Sequence, residues 1–505
     1  VSVFNFFVKS KFNKIACFDF IRKLDGHFAI IFFNKKNILI CCDRISSIPL
    51  IIKKARNKIF IADNYNNLKN IVDLKNKFFI DIEQSKNLAS SGYTFGKKTI
   101  FKDVIKTFPG FFYLYDNNKL EEIQYYDWRP YKKKFSEKNK SKNFLKKLNT
   151  KIIKKLILSS KGKFIAVPLS AGYDSRFILS GLVEEGYKNI ISFSYGRSRN
   201  REAIIAKKVA KKLNIPWFFV EYTPSQMKSV LLSKEYMLFK DYSDLTDSVH
   251  FPQDFFAIKS IKNNNLIPSD SIIVNGQSGD FISGNHIFYK HIDDTYNDLI
   301  TFFFKKHYKI SRRLMININE KIKENIKKRI SNFNINTNNI NNIREALQKI
   351  EYEDRQAKYL MGGQRAYEFF GFDWRLPLWD KEYVEFFENL NVEFKINQSL
   401  YTEVIEEQNW GDVWKDIPIN PKNMFSIKIE VIRFIFKCFF SLLGKKSWHK
   451  FELKFLDYFM NPLCGYAAWN YFDIIFNNNK YTSPLGWHVK EYLNKKSINW
   501  NGELL

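Results

Sequence analysis

Cysteine is scarce in this 505-residue chain: the five present, Cys17, Cys41, Cys42, Cys438 and Cys464, are odd in number and show no Cys-x-x-Cys spacing. That excludes a disulfide framework and a zinc site built on cysteine pairs, and the simplest reading is reduced intracellular thiols. Long apolar runs are missing too, since no stretch approaches the ~18 uncharged apolar residues of a membrane-spanning helix. The opening segment, Val1 to Lys11, lacks the basic-then-apolar order of a secretory signal. A cytoplasmic protein, soluble or peripheral, is expected. Acidic side chains are also in the minority, 52 against 81 Lys and Arg, for a net charge of +29. Such an excess ordinarily points to nucleic acid or an anionic membrane. Here no basic tail or arginine-rich stripe concentrates it. The lysines arrive with asparagine, isoleucine and phenylalanine over the whole chain, as a biased coding composition produces, so no nucleic-acid partner is expected. There is no internal repeat and no low-complexity tract.

With 45% hydrophobic residues the chain can bury more than one core, and two domains are expected. Residues 1–130 carry short β-rich runs, Phe28 to Phe33, Ile38 to Cys42, Lys58 to Ala62 and Phe111 to Tyr115, and predict a small, mainly β domain. Tyr131 to Lys146 is lysine-rich and polar, a linker or a solvated helix start. Beyond it, strand and helix alternate through residues 131–505. Phe164 to Leu169 is a continuous apolar strand, followed by helical spacing of Phe177, Ile178, Leu179, Leu182 and Val183 up to Gly186. Ile190 to Tyr195 and Trp217 to Tyr222 are further strands, separated by a helix with Ala206, Val209, Ala210 and Leu213 on one face and lysines on the other. Apolar strands separated by helices predict an α/β fold with a doubly wound parallel sheet, which binds its ligand at the carboxyl ends of the strands. Phe302 to Asn342 shows little apolar periodicity and is expected as a surface helical insertion. Phe425 to Lys446 reads as an aromatic and aliphatic helix bearing Lys428, Arg433 and Lys437. A core helix with charged edges is the preferred reading, and peripheral membrane contact through residues 425–446 is the alternative.

The chemistry is carried by Leu169-Ser170-Ala171-Gly172-Tyr173-Asp174-Ser175, which joins the first strand of that sheet to its first helix. Small residues there let backbone N–H groups approach a phosphate, and the helix N-terminus adds about half a positive charge. Ser170 and Ser175 supply hydroxyl donors, while an acid inside a phosphate loop makes sense as a magnesium ligand. A Walker loop would carry lysine and a dinucleotide loop three glycines, and neither fits. Taken alone, the loop is equally compatible with a chance turn.

The loop resembles the pyrophosphatase loop of the asparagine synthetase family, Ser-Gly-Gly-x-Asp-Ser, with Ala171 in place of the first glycine. Three further blocks follow the family's order. Ile272 to Asp280, ending Asn275-Gly276-Gln277-Ser278-Gly279-Asp280, resembles its second nucleotide loop. Gly371 to Asp380, with Arg375 and Pro377, resembles its Gly-x-Glu-x-Arg-x-Pro-Phe-Leu-Asp segment. Asp25-Gly26-His27-Phe28-Ala29, Asp43-Arg44 and Ile48-Pro49-Leu50 resemble the later half of its N-terminal-nucleophile glutaminase domain. The resemblance implies ATP and Mg²⁺ as cofactors, with Ser170, Ala171, Gly172, Asp174 and Ser175 around the pyrophosphate end of ATP. It also implies Asp174 and Asp280 on the metal, and the backbones of Tyr195 and Gly276 at adenine or ribose. The activity implied is adenylation of a small-molecule or glycan carboxylate, released as an amide by ammonia or another amine.

Two departures from the family narrow this. Its glutaminase uses an N-terminal cysteine, whereas this chain starts at Val1 and only about two dozen residues precede Asp25. Either a longer protein precedes Val1, or residues 1–130 are a remnant that lacks the nucleophile and the amine comes from elsewhere. In the synthetase half, Gln277 stands where the family has a glutamate, and removal of a general base typically costs ~10²- to 10⁴-fold. The family lysine after the Arg-x-Pro block has no counterpart: Asn397 to Tyr401 offers glutamine or serine, and Lys395 is out of register. No catalytic residue is therefore assigned from sequence, and oligomeric state is left open. The losses favour a divergent ligase, for instance one amidating a sugar acid in surface polysaccharide biosynthesis. The alternative is a catalytically degenerate, ATP-binding or structural partner protein. A tRNA-modifying enzyme would suit the charge but not the Asp25 and Arg375 blocks.

Overall fold

The computed structural model describes residues 6, 12–55, 57–72, 77–131, 134–289, 295–308, 310, 316–333, 335–420, 427–477 and 483–499. The expectation for Val1 to Lys11 lies outside them, Phe6 apart.

The N-terminal part holds two antiparallel sheets. Strands β1 (Ala29–Phe33), β2 (Ile38–Cys42), β6 (Phe111–Asp116) and β7 (Lys119–Gln124) form one in the order β1-β2-β6-β7. Strands β3 (Ile51–Ala55), β4 (Lys58–Ala62) and β5 (Val104–Lys106) form the other in the order β4-β3-β5. Because β2 is Ile-Leu-Ile-Cys-Cys, it can be covered on both faces. Leu39 and Cys41 pack with Cys17, Ile21 and Phe112, and on the other face Ile40 packs with Leu50, Ile52 and Tyr113. Three strands in this region, β3, β5 and β7, have no counterpart in the sequence reading.

The second sheet system is the expected parallel one. Strands β8 (Ile165–Pro168), β9 (Ile190–Gly196), β10 (Trp217–Glu221), β11 (Ile272–Val274) and β12 (Asp373–Arg375) lie in the order β10-β9-β8-β11-β12, every neighbouring pair parallel. Ile165, Ala166 and Val167 are fully buried, as a central strand covered by helices on both faces requires. Strand order reverses between β8 and β11, so a crevice opens outside their carboxyl ends. Helix α1 (Lys138–Ser160) leads into β8. Helix α2 (Tyr173–Glu184) follows β8, and α3 (Arg201–Lys212) follows β9 with Asn200 as its N-cap. In α3 the expected stripe Ala206, Val209, Ala210 is buried and Leu213 follows it into the core.

Two sequence expectations are corrected. The stretch from Phe302 is not a surface insertion: after α4 (Gly279–Ser283), helix α5 (Ile316–Ser331) sets Ile322, Ile326 and Ile330, four residues apart, into a core with Leu299 and Phe303. The four-residue isoleucine repeat was hidden among lysines and asparagines. Helix α6 (Ile340–Glu351) packs on the same core and runs on as the wider-turn π-helical segment Tyr352–Leu360. The second correction concerns the segment after α7 (Ser399–Gln408). Its described part, helix α8 (Ile427–Ser441), is not a core helix, because Phe434 and Phe439 are 70% and 67% exposed. Helices α9 (Lys445–Phe451) and α10 (Pro484–Lys495) complete the elements used below.

Candidate functional site

The loop after β8 closes on itself through two hydroxyls. Ser170 N–H donates to Ser175 Oγ at 3.0 Å, the Ser170 and Ser175 hydroxyl oxygens lie 3.1 Å apart, and Gly172 N–H donates to Ser170 Oγ at 3.2 Å. Gly172 caps α2 without a side-chain bond, which leaves the helix N-terminus facing the crevice. Ala171 is fully buried and keeps a negative φ, so its methyl fills core rather than strains the loop. Beneath it Arg176, fully buried, donates to the carbonyls of Val413, Ile417, Pro418 and Ala171 at 2.7–3.3 Å. Burial pulls its guanidinium down to about 10.

Across the crevice, the turn after β11 presses against α2. A Cβ on Gly276 would sit 2.5 Å from Asp174 Cβ, and one on Gly279 would sit 2.4 Å from Leu378 Cδ1 and 2.5 Å from Asp174 Cγ. Only glycine allows this approach, and it lets Asp280 N–H donate to Asp174 Oδ2 at 3.1 Å. Tyr401 Oη donates to the other oxygen, Oδ1, at 2.7 Å. Burial, reinforced by the negative charge of Asp280, pushes the Asp174 carboxyl up to about 7. Burial would also raise Asp280, but His286, with Nε2 3.2 Å from Oδ2, outweighs it and holds Asp280 below the usual carboxylate range. His286 Nδ1 in turn meets Glu351, a fully buried carboxylate that also faces His307 at 3.2 Å, Lys306 at 3.5 Å and Arg355 at 3.5 Å.

Of the residues expected around a nucleotide, Ser170, Gly172, Asp174, Ser175, Tyr195, Gly276 and Asp280 line one cavity of about 390 Å³, and Ala171 lies under it. That size suits a small-molecule site. Tyr195, at the carboxyl end of β9, bonds its hydroxyl to Asp254, which Tyr367 also binds. Lys395 does not reach the cavity. Its ammonium is buried against the carbonyls of Pro130 and Phe387. Gln277 does line it, with its amide nitrogen on the Leu360 carbonyl and its oxygen on the Gln364 amide. Sequence reasoning missed Tyr401, His286, Glu351 and Asp254. His286 follows Asp280 by six residues, and no spacing rule joins the others to the loop. A larger cleft of about 650 Å³ brings the Asp25–His27 and Arg375 blocks together, with Lys155 pairing to Asp380 at 2.8 Å and Asp25 at 3.3 Å across it.

A doubly wound parallel sheet whose switch point carries a lysine-free serine loop, faced by a second turn with its own carboxylate, defines an α/β protein with its candidate site at the carboxyl ends of the strands. Residues 160–407, a little under half of the chain, match the asparagine synthase family, which supports an asparagine synthase-family member. The chain is also 28% identical over 113 residues to 7-cyano-7-deazaguanine synthase 2 of Colwellia psychrerythraea (strain 34H / ATCC BAA-681), 22% of this chain and 47% of that protein. The chain thus spans about half the length of the curated relative it matches.

Proposed function

We propose that this protein is an ATP-dependent, AMP- and pyrophosphate-forming amide ligase of asparagine-synthase type. The observation that carries the reading is the pairing of Asp174 and Asp280 across the crevice between the serine loop and the β11 turn. Among the described residues no group of three His, Cys, Asp or Glu forms a cation cage. Two carboxylates beside this small-molecule cavity instead suit Mg²⁺, which usually takes one or two protein carboxylates and completes its shell with phosphate and water. A dication there would also offset the burial and the Asp280 charge that together push Asp174 up. When bound, Mg²⁺ neutralises charge developing on the departing pyrophosphate.

In this reading Ser170, Ser175 and the N-terminus of α2 hold the β- and γ-phosphates, and the ends of β9 and β11, at Tyr195 and Gly276, flank the nucleoside. A substrate carboxylate oxygen bonds to the α-phosphorus as the bond to pyrophosphate breaks. An amine or ammonia then displaces AMP from the acyl carbon. The resemblance makes sugar acids of surface polysaccharides the first carboxylates to screen, and residues 1–130 a glutaminase-like unit.

Titration calorimetry with Mg-ATP is expected to show binding that Asp174→Asn and Asp280→Asn each weaken by at least about tenfold, on the scale of one charge-assisted contact. ATP–pyrophosphate exchange should appear with the correct carboxylate. Absence of Mg-ATP binding would sink the proposal. Gln277 supports a second reading, a nucleotide-binding protein without turnover, which binding without exchange across the carboxylate screen would favour.

A further inference from the structure

Among the described residues, helix α8 packs on α9 along one side. Phe436 and Phe440 stack on Phe451 of α9, with ring centroids 4.8 and 4.5 Å apart, and Arg433 bonds Glu452 at 2.7 Å. At 100° per residue, Val431, Phe434, Ile435 and Phe439 occupy the opposite half, and Leu442 and Leu443 follow in the turn toward α9. All six are exposed, Leu442 by 87%. Isolated exposed hydrophobics are ordinary, but a contiguous face of this kind marks an interaction surface.

The surrounding charge selects the occupant. Lys428 at the start of the helix, Lys437 on its flank, and Lys445, Lys446 and Lys450 just past its end are all exposed. The nearby acids Glu430 and Glu452 are engaged by Arg433 and His449, which leaves the lysines without carboxylate partners among the described residues. Protein–protein interfaces are enriched in aromatic residues, methionine and arginine, phenylalanine included, but are depleted in lysine, so it is the lysines that decide. Phenylalanine and aliphatic side chains flanked by lysine are instead the composition of helices that lie in a bilayer interface. The helix has 15 residues, about 22 Å at 1.5 Å per residue, against about 30 Å of hydrocarbon, so it suits lying in the plane. No helix among the described residues is long and apolar enough to cross a membrane.

We propose that α8 and the turn into α9 form an interfacial anchor that seats the protein on a membrane rich in anionic lipid. Phe434, Phe439 and Leu442 enter the acyl boundary, and the lysines engage headgroup phosphates and carboxylates. The test is co-sedimentation of the full chain with vesicles of equal parts phosphatidylcholine and phosphatidylglycerol, and with phosphatidylcholine alone. Pelleting with the anionic vesicles is expected, weakened by salt and reduced at least about tenfold in Phe439→Ser/Leu442→Ser. Lys445→Glu/Lys446→Glu should lose the preference for anionic over neutral vesicles. These side chains are solvent-exposed, and an unchanged thermal unfolding midpoint confirms that each variant is folded. Failure of the wild type to pellet with anionic vesicles overturns the proposal, as does pelleting that both variants leave unchanged. A lipid-free dimer in sedimentation velocity that Phe439→Ser/Leu442→Ser converts to monomer, without vesicle binding, would assign the face to self-association instead.

Discussion

Lys395 is 2% exposed, and its ammonium donates to the carbonyls of Pro130 and Phe387 and lies over the Tyr131 ring. Burial pulls it down to about 7, with partial compensation from the negative charges of Glu388 and Glu345. In the unfolded chain the same group titrates near ~10.4. Between those two values the unfolded chain holds a proton that the native protein has released, so native stability increases as pH rises through this window, by up to about 1.4 kcal/mol per unit. Urea unfolding of the wild type and of Lys395→Met across that range isolates this term from the other lysines. The wild type is expected to gain on the variant as pH rises; a constant difference would show that the buried ammonium stays charged at neutral pH. Gln277 is fitted to its place in the same sense. Its amide donates to one neighbour and accepts from another, whereas a glutamate there would turn a carboxylate oxygen toward the Leu360 carbonyl. Glutamine thus suits both neighbours at this position where a carboxylate would not.

Among the elements, the β11–α4 turn and the start of α2 are held closer than side chains permit. Gly279→Ala would drive a methyl into Asp174 and Leu378, and overpacking of this kind typically costs about 1–3 kcal/mol. Because the strain falls on Asp174, Mg-ATP affinity is expected to drop at least about tenfold together with the thermal midpoint. A variant that loses stability but keeps its affinity would show that the closeness serves packing alone. This level also shows what could be read from sequence. Strands β8 and β9 were legible because central parallel strands are continuous apolar runs, the edge strand β10 because Trp217 to Val220 is apolar throughout, and the serine loop because a strand precedes it and a helix follows. Strand β12, Asp373–Arg375, was not, since an edge strand of three residues carries two charges and no periodicity. The β11 turn was visible as glycines and an acid, but its contact with Asp174 depends on a register set by β8 and β11 pairing Ile165 with Ile272. Tyr401 reaches Asp174 across 227 positions of sequence, a relation that no local pattern records.

At the scale of the whole molecule, the boundary near residue 130 separates kinds of sheet without separating cores. Ile45 and Trp128 belong to the core of the parallel sheet, where Trp128 stacks between Phe281 and Tyr352 at 5.3 and 5.0 Å. Leu88 and Phe101 share the other large core with Leu299, Ile326, Trp487 of α10 and Leu493. Polar groups cross as well: Lys106 is buried against Asp247 at 3.0 Å and the Ala357 carbonyl at 2.9 Å, and Gly96 N–H donates to Asp354 at 2.8 Å. Units joined by weak interfaces unfold apart, whereas units that share apolar cores and buried ion pairs lose those contacts together. Calorimetry of the full chain is therefore expected to show one transition in which β sheets and parallel sheet melt together. Lys106→Met, which strands the buried Asp247 carboxylate, should lower that single midpoint, since breaking such a pair costs about 3–5 kcal/mol. Two resolved transitions, with Lys106→Met moving only one, would instead make residues 1–130 an independent folding unit. A single transition would tie the geometry of Asp174 and Asp280 to the integrity of the N-terminal sheets.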